Sequence, residues 1–172
     1  MSVAEINDTR PYLTFTLENE LFAVDVYKVR EVLDLTKITR VPQTPEYMKG
    51  VINLRGNVVP VIDFRLKFGM KEIENTIDTC IIVLEINVDN EMIIVGALAD
   101  SVREVFELEP DQIEPPPKLG TKFNVEYLYG IGKKDDEFLM MLNIDKAFSF
   151  DEINLVQEMA QTNTNQTVEE DG

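Results

Sequence analysis

Residues 12–18 alternate without a break: Leu13, Phe15 and Leu17 point one way, Thr14, Thr16 and Glu18 the other. A period of two is the mark of a half-buried strand, and a helix cannot present it as one face. The short rhythm then recurs along the chain. Asn19-Glu20 reads as a turn, after which Phe22, Val24 and Val26 alternate with Ala23 and Asp25 as a hairpin partner. Gly56-Asn57 separates the apolar runs 51–54 and 58–62, a second hairpin. Pro60 makes the later strand an edge, or turns its missing N–H away from any partner. Residues 79–87 and 92–106 form a third pair about Asp89-Asn90, the return reading as one long strand in which Gly96 marks a bulge or a close backbone approach. A fourth hairpin joins 127–132 to 137–144.

Few segments keep a helical period. Val29, Val32 and Leu33 recur at three- and four-residue steps, which predicts a short helix over 27–34. Residues 45–50 read as one helical turn behind Pro45, and 37–41 as a short strand stopped by Pro42. Residues 145–149 and 151–160 read as helical, 107–118 as a crossover loop, and the ends as polar and loose. Eight to ten short strands with no long helix predict a mainly-β chain. For 172 residues, two small barrels sharing a core fit better than one generous barrel.

Composition excludes several chemistries. There is no histidine, which removes histidine base chemistry, histidine metal sites and phosphohistidine relays. Cys80 is the single cysteine, so no internal disulfide or paired-cysteine metal site can form; in its apolar run it reads as a buried thiol. Thirty-two acids against 16 basic residues give a net charge of −16, which disfavours nucleic acid and anionic membrane surfaces. Gly130 and Gly132 fail the phosphate-loop spacing, which would need glycine at Tyr127 and serine or threonine at Lys134. They fail the dinucleotide spacing too, since its third glycine falls on Asp135. No apolar run approaches the ~20 residues that span a bilayer, and the polar start is not a signal peptide, so a soluble cytoplasmic protein is expected. What remains is Glu31, Arg55, and Arg65 following Asp63. These read either as ordinary surface charges or as a polar constellation with a binding role.

The string KGVINLRGNVVPVIDFRLKFG, residues 49–69, resembles the signature of CheW-type chemotaxis coupling proteins. Lys49-Gly50, Asn53 to Gly56, Pro60, Asp63 and Arg65 meet its fixed positions. The opening hairpin, Lys28 to Val32, Ile38 to Pro42, residues 98–105 and the closing 127–132 with 142–146 agree in order, so the likeness covers about 11–157. It implies an all-β fold of two five-stranded SH3-like β-barrels about a shared hydrophobic interface, with interleaved boundaries and flexible polar termini at 1–10 and 161–172. It implies a non-catalytic adaptor with no cofactor and no metal, monomeric in isolation. Such an adaptor joins the cytoplasmic tip of methyl-accepting chemoreceptors to the regulatory domain of the histidine kinase CheA within a larger array. The same fold occurs in that regulatory domain and in CheV proteins. A kinase would need roughly 250 further residues and a phosphoreceiver about 120, so a standalone coupler is the match.

Carried over residue by residue, the resemblance assigns receptor binding to Val29, Glu31, Val32, Leu54, Arg55, Val102 and Val105. Glu31 and Arg55 match a family ion pair. Kinase contact falls around Val41, Pro45 and Thr79. From the residues alone, two other classes stay open. One is a small-molecule- or oligosaccharide-binding barrel, poorly served by a chain with no tryptophan; the other is an enzyme working through carboxylates.

Overall fold

The computed structural model describes residues 8–72, 74–88, 90–116, 127–149 and 151–158. Eleven strands occur among them: β1 Arg10–Leu17, β2 Glu20–Asp25, β3 Val29–Asp34, β4 Met48–Leu54, β5 Asn57–Ile62, β6 Cys80–Val88, β7 Glu91–Ala99, β8 Ser101–Leu108, β9 Ile113–Glu114, β10 Leu128–Lys134 and β11 Glu137–Leu142. A single helical turn, α1, spans Phe64–Lys67, and residues 151–158 form the helix α2. The expected disorder of 161–172, residues 117–126 and the Asp89 half of one turn lie outside the described residues.

The strands make two sheets. One has six strands in the order β8-β1-β2-β11-β10-β9, and the other five in the order β3-β6-β7-β5-β4. Neither order returns on itself among the described residues, so the expected closed SH3-like barrels are corrected to two open sheets. Closure needs a continuous partner for each edge. β9 offers only two residues. Beyond β4, the segment holding Pro42 and Pro45 supplies a single bridge, Thr39 to Val51, where a strand over 37–41 was expected.

The predicted hairpins stand, shifted by a residue in places. Glu18-Asn19 and Arg55-Gly56 occupy the turns, all four at positive φ, which matches the right-handed twist of flanking strands. The long return strand is split: β7 ends at Ala99, β8 begins at Ser101, and Asp100 between them carries the chain from one sheet to the other. Gly96 is a close approach, since a Cβ there would lie 2.8 Å from Ile81 Cγ2. Pro60 sits inside its sheet rather than on an edge. Val51 gives both its N–H and C=O to Thr39, so the Val51–Pro60 pair exchanges no hydrogen bond. The missing N–H then lies towards β7, where the ladder begins only at Val61.

The main core lies between the sheets. Leu13, Phe15, Leu17, Phe22 and Val24 meet Ile62, Ile82, Leu84, Val95 and Ala97. Smaller clusters cover the outer faces, around Tyr12, Leu108 and Leu139 on one sheet and Ile52, Val61 and Ile81 on the other. β1 is therefore buried on both faces. Thr14, expected outward, is buried and its hydroxyl accepts from Glu104 N–H and donates to Glu104 C=O, filling the bulge between Leu13 and Phe15.

α2 closes the core with Ile153 and Val156. Ser149 and Glu152 cap it reciprocally: Ser149 N–H donates to Glu152 Oε1 at 2.7 Å and Glu152 N–H to Ser149 Oγ at 3.2 Å. Lys67 of α1 reaches Glu152 Oε2 at 2.6 Å, its ammonium lying 5.0, 5.5 and 5.2 Å from the rings of Tyr47, Tyr127 and Phe148.

Candidate functional site

The segment expected as a helix over 27–34 is a short 3-10 turn, Val26–Lys28, followed by strand β3. Asp25 stops the preceding strand by accepting from Tyr27 N–H at 2.9 Å. The apolar spacing that suggested a helix is produced by a bulge. β3 pairs Val29 with Leu84 but Glu31 with Val83, so alternation slips once between them.

That slip distributes the candidate receptor residues over two surfaces. Val29 and Val32 pair with Leu84 and Ile82, which belong to the main core, so both lie on the core-facing side of β3. Val102 and Val105 pair with Phe15 and Leu13, again core residues, and lie on the core-facing side of β8. β3 and β8 are edge strands of their respective sheets. Val29 and Val102 are half-buried against the core, whereas Val32 and Val105 are 43% and 53% exposed. The four valines thus lie on the core-facing sides of one edge strand from each sheet.

Glu31 belongs to the other face of the five-stranded sheet, beside Val83. There Arg55 donates two hydrogen bonds to it, Nη1 to Oε2 at 2.6 Å and Nη2 to Oε1 at 2.8 Å. These bonds hold the Glu31 carboxyl below its ordinary value, against a weaker upward push from desolvation, and raise Arg55. With Leu54 they line a groove of about 400 Å³ floored by Val59, Val83 and Ile94. Asn53 Oδ1 accepts from Gly56 N–H at 2.8 Å and stiffens the turn that presents Arg55.

Arg65 and Asp63 are not surface charges. They are 3% and 0% exposed. Arg65 Nε and Nη2 each donate to an Asp63 oxygen at 2.9 Å, and Nη1 donates to Asp100 Oδ1 at 2.6 Å. Burial alone would lower the guanidinium pKa; the bonds and charge of Asp63, then Asp100, outweigh it and raise it. Lys49 stands 3.9 Å from Asp63 and pairs with Glu72. Asp100 was missed by sequence reasoning. Its signal was an acid interrupting a β-rich run, where an unpartnered carboxylate would be costly.

Among the kinase-side candidates, Val41 and Pro45 line a cavity of about 620 Å³ beside Lys49. Thr79 is buried, and its hydroxyl accepts from Thr76 N–H at 2.8 Å, so it fastens the turn before β6. Cys80 is buried as expected, and burial pushes its thiol up to about 11. Among the described residues no helix is long and apolar enough to cross a membrane.

Comparison with known proteins is consistent across sequence and structure. The family model for the CheW-like domain matches residues 11–152. A "Chemotaxis protein CheW" from Klebsiella aerogenes is 36% identical over 151 residues, covering 88% of this chain and 89% of that one. One from Bacillus subtilis is 32% identical over 140 residues, 81% and 87% of the two chains. The crystal structure of the scaffolding protein TtCheW from Thermoanaerobacter tengcongensis superposes with a TM-score of 0.75 at 34% identity, covering 83% of this chain and 90% of that one.

Proposed function

The chain belongs to the CheW-like family, and from that premise we propose that receptors dock on the mouth between its two sheets. The protein is a non-catalytic adaptor that links chemoreceptors to the histidine kinase CheA and passes receptor control to the kinase in chemotaxis. What is proposed is the surface and the division of labour on it.

A receptor tip is a bundle of helices, and an apolar helix face needs apolar anchors that desolvate on contact. Val32 and Val105 are exposed on the core-facing sides of two edge strands, with Val29 and Val102 half-buried behind them. That placement is the observation carrying the proposal. Glu31, Leu54 and Arg55 form a neighbouring rim whose fixed charges would set register and reject mismatched partners. The kinase regulatory domain would bind elsewhere, around Val41 and Pro45, so that one adaptor holds both partners at once. Thr79 acts there by holding the turn, since it is buried. The coupling unit spans 11–157, and receptor binding would hold it at the inner face of the membrane.

The test is a pair of binding measurements on Val32→Asp and Val105→Asp, with circular dichroism as a check on folding. Each variant is expected to lose receptor-fragment binding by on the order of a hundredfold and to keep binding the kinase regulatory domain. Folded variants that bind the receptor fragment as the parent does would remove the docking surface from this mouth.

A further inference from the structure

The two halves of the proposed docking mouth lie on different sheets, so its width depends on what fixes one sheet against the other. β3 carries Val29 and Val32 on the five-stranded sheet, and β8 carries Val102 and Val105 on the six-stranded one. Between them runs a buried polar tie. Asp63 follows β5 directly, and Arg65 sits in α1 beyond it, both leaving the five-stranded sheet. Asp100 is the single residue between β7 and β8. Its N–H donates to Thr16 C=O at 2.9 Å and its Oδ2 accepts from Glu18 N–H at 2.6 Å, so it is held to the β1–β2 turn of the six-stranded sheet. Its Oδ1 receives Arg65 at 2.6 Å. Ser101 continues the link, its Oγ 2.8 Å from Thr16 Oγ1, and Val102 comes next.

We propose that Arg65 is a positioning residue for receptor docking: its guanidinium ties Asp63 of one sheet to Asp100 at the start of β8 and so sets the opening between the valines of β3 and β8. Arg65 touches no receptor itself. A guanidinium suits the task because its rigid fork reaches both carboxylates at fixed angles, which an ammonium cannot do. Apolar packing between the sheets is non-directional and tolerates small rotations. A buried ion network adds little net stability but can favour one geometry over its neighbours. The charged positions of the 49–69 signature, Lys49, Asp63 and Arg65, thereby act as a joint inside the molecule, while Arg55 acts at its surface.

This inference rests on the docking surface proposed above, and its test separates the two. Spin labels are placed at Asp34→Cys on β3 and Arg103→Cys on β8 in a Cys80→Ala background, and their distance distribution is measured without and with Arg65→Lys. Affinity for a purified receptor hairpin fragment is measured on the same proteins without labels. Arg65→Lys is expected to fold, to broaden or displace the distance, and to weaken receptor binding about tenfold. Parental distance and parental affinity together would reduce Arg65 to a stability residue and overturn the proposal. A displaced distance with parental affinity would overturn it as well, because the opening would then not matter for docking. Should Arg65→Lys fail to fold, Asp100→Asn, which keeps the shape and removes one charge, takes the same measurements with the same outcomes. The distance needs no receptor, so a parent that fails to bind the fragment would sink the docking surface and leave the joint to be judged on distance alone.

Discussion

Arg55 holds φ at 52°, a left-handed backbone that crowds the Cβ of any residue carrying one. Asparagine tolerates that conformation better, and a turn chosen for stability alone would carry it. The arginine persists with its fork on Glu31, while 71% of its side chain stays in water. An exposed pair of this kind contributes little to folding, so under the proposed docking surface its role is to face the partner. Arg55→Asn is expected to leave the unfolding temperature unchanged or raise it by about 2 °C, and to weaken receptor-fragment binding about tenfold. A variant that loses several degrees and binds normally would make the pair structural. The Glu31–Arg55 pair was legible through the family resemblance, not through spacing, because 24 residues separate its members. The burial of Arg65 was not legible. Nothing local distinguishes a buried arginine from an exposed one until Asp100, 35 positions away, is brought to it.

At the level of elements, hairpins were readable and closure was not. A hairpin is local: a turn residue and two alternating runs specify it. β3 shows the limit, since a bulge between Val29 and Glu31 imposes a spacing that imitates a helix, and only pairing with β6 decides the matter. The edge of β4 has a sharper requirement. Gly50 sits at φ 142° in a bulge, and a Cβ there would stand 2.1 Å from Thr39 O and 2.7 Å from Thr39 C. Both are backbone atoms, so the clash cannot be relieved by a rotamer. Gly50→Ala is expected to cost about 3 kcal/mol in urea unfolding and to break the Thr39–Val51 bridge; a loss below about 0.5 kcal/mol would show the edge to be slack. α2 was expected, but the Ser149 to Glu152 spacing that caps it passed unread. Burial alone would raise the Glu152 carboxyl, yet bonds from Lys67, Ser149 N–H and Tyr47 outweigh it and hold the group at about 2, against an ordinary 4.5. A depressed carboxyl stabilises the fold above the ordinary value, and that stability is lost as pH falls from about 4.5 towards about 2. Glu152→Gln is therefore expected to lower the unfolding temperature at pH 7 and to converge with the parent near pH 2. Parallel acid limbs would show that the pair contributes nothing to the docking of α2.

On the scale of the whole molecule, the strand order divides the chain unevenly. β3 to β7 are consecutive and complete the five-stranded sheet by themselves. The six-stranded sheet takes β1 and β2 from the start and the rest from beyond residue 100, joining Phe22 to Met140 in a parallel step. Which sheet is contiguous was not readable in the sequence, because it depends on pairings far apart along the chain. The contiguous sheet closes smaller loops and should form sooner. Pulse-labelled hydrogen exchange during refolding is expected to protect amides of 48–99 before those of 10–25, and simultaneous protection would argue for one concerted step. During synthesis the order has a cost. The first hairpin leaves the ribosome with its apolar edge bare and waits for nearly all of the remaining chain before β11 can cover it. Neighbouring nascent chains on one message carry the same waiting edge, so crowded translation, more than any weakness of the finished fold, is where this adaptor is most exposed to mispairing.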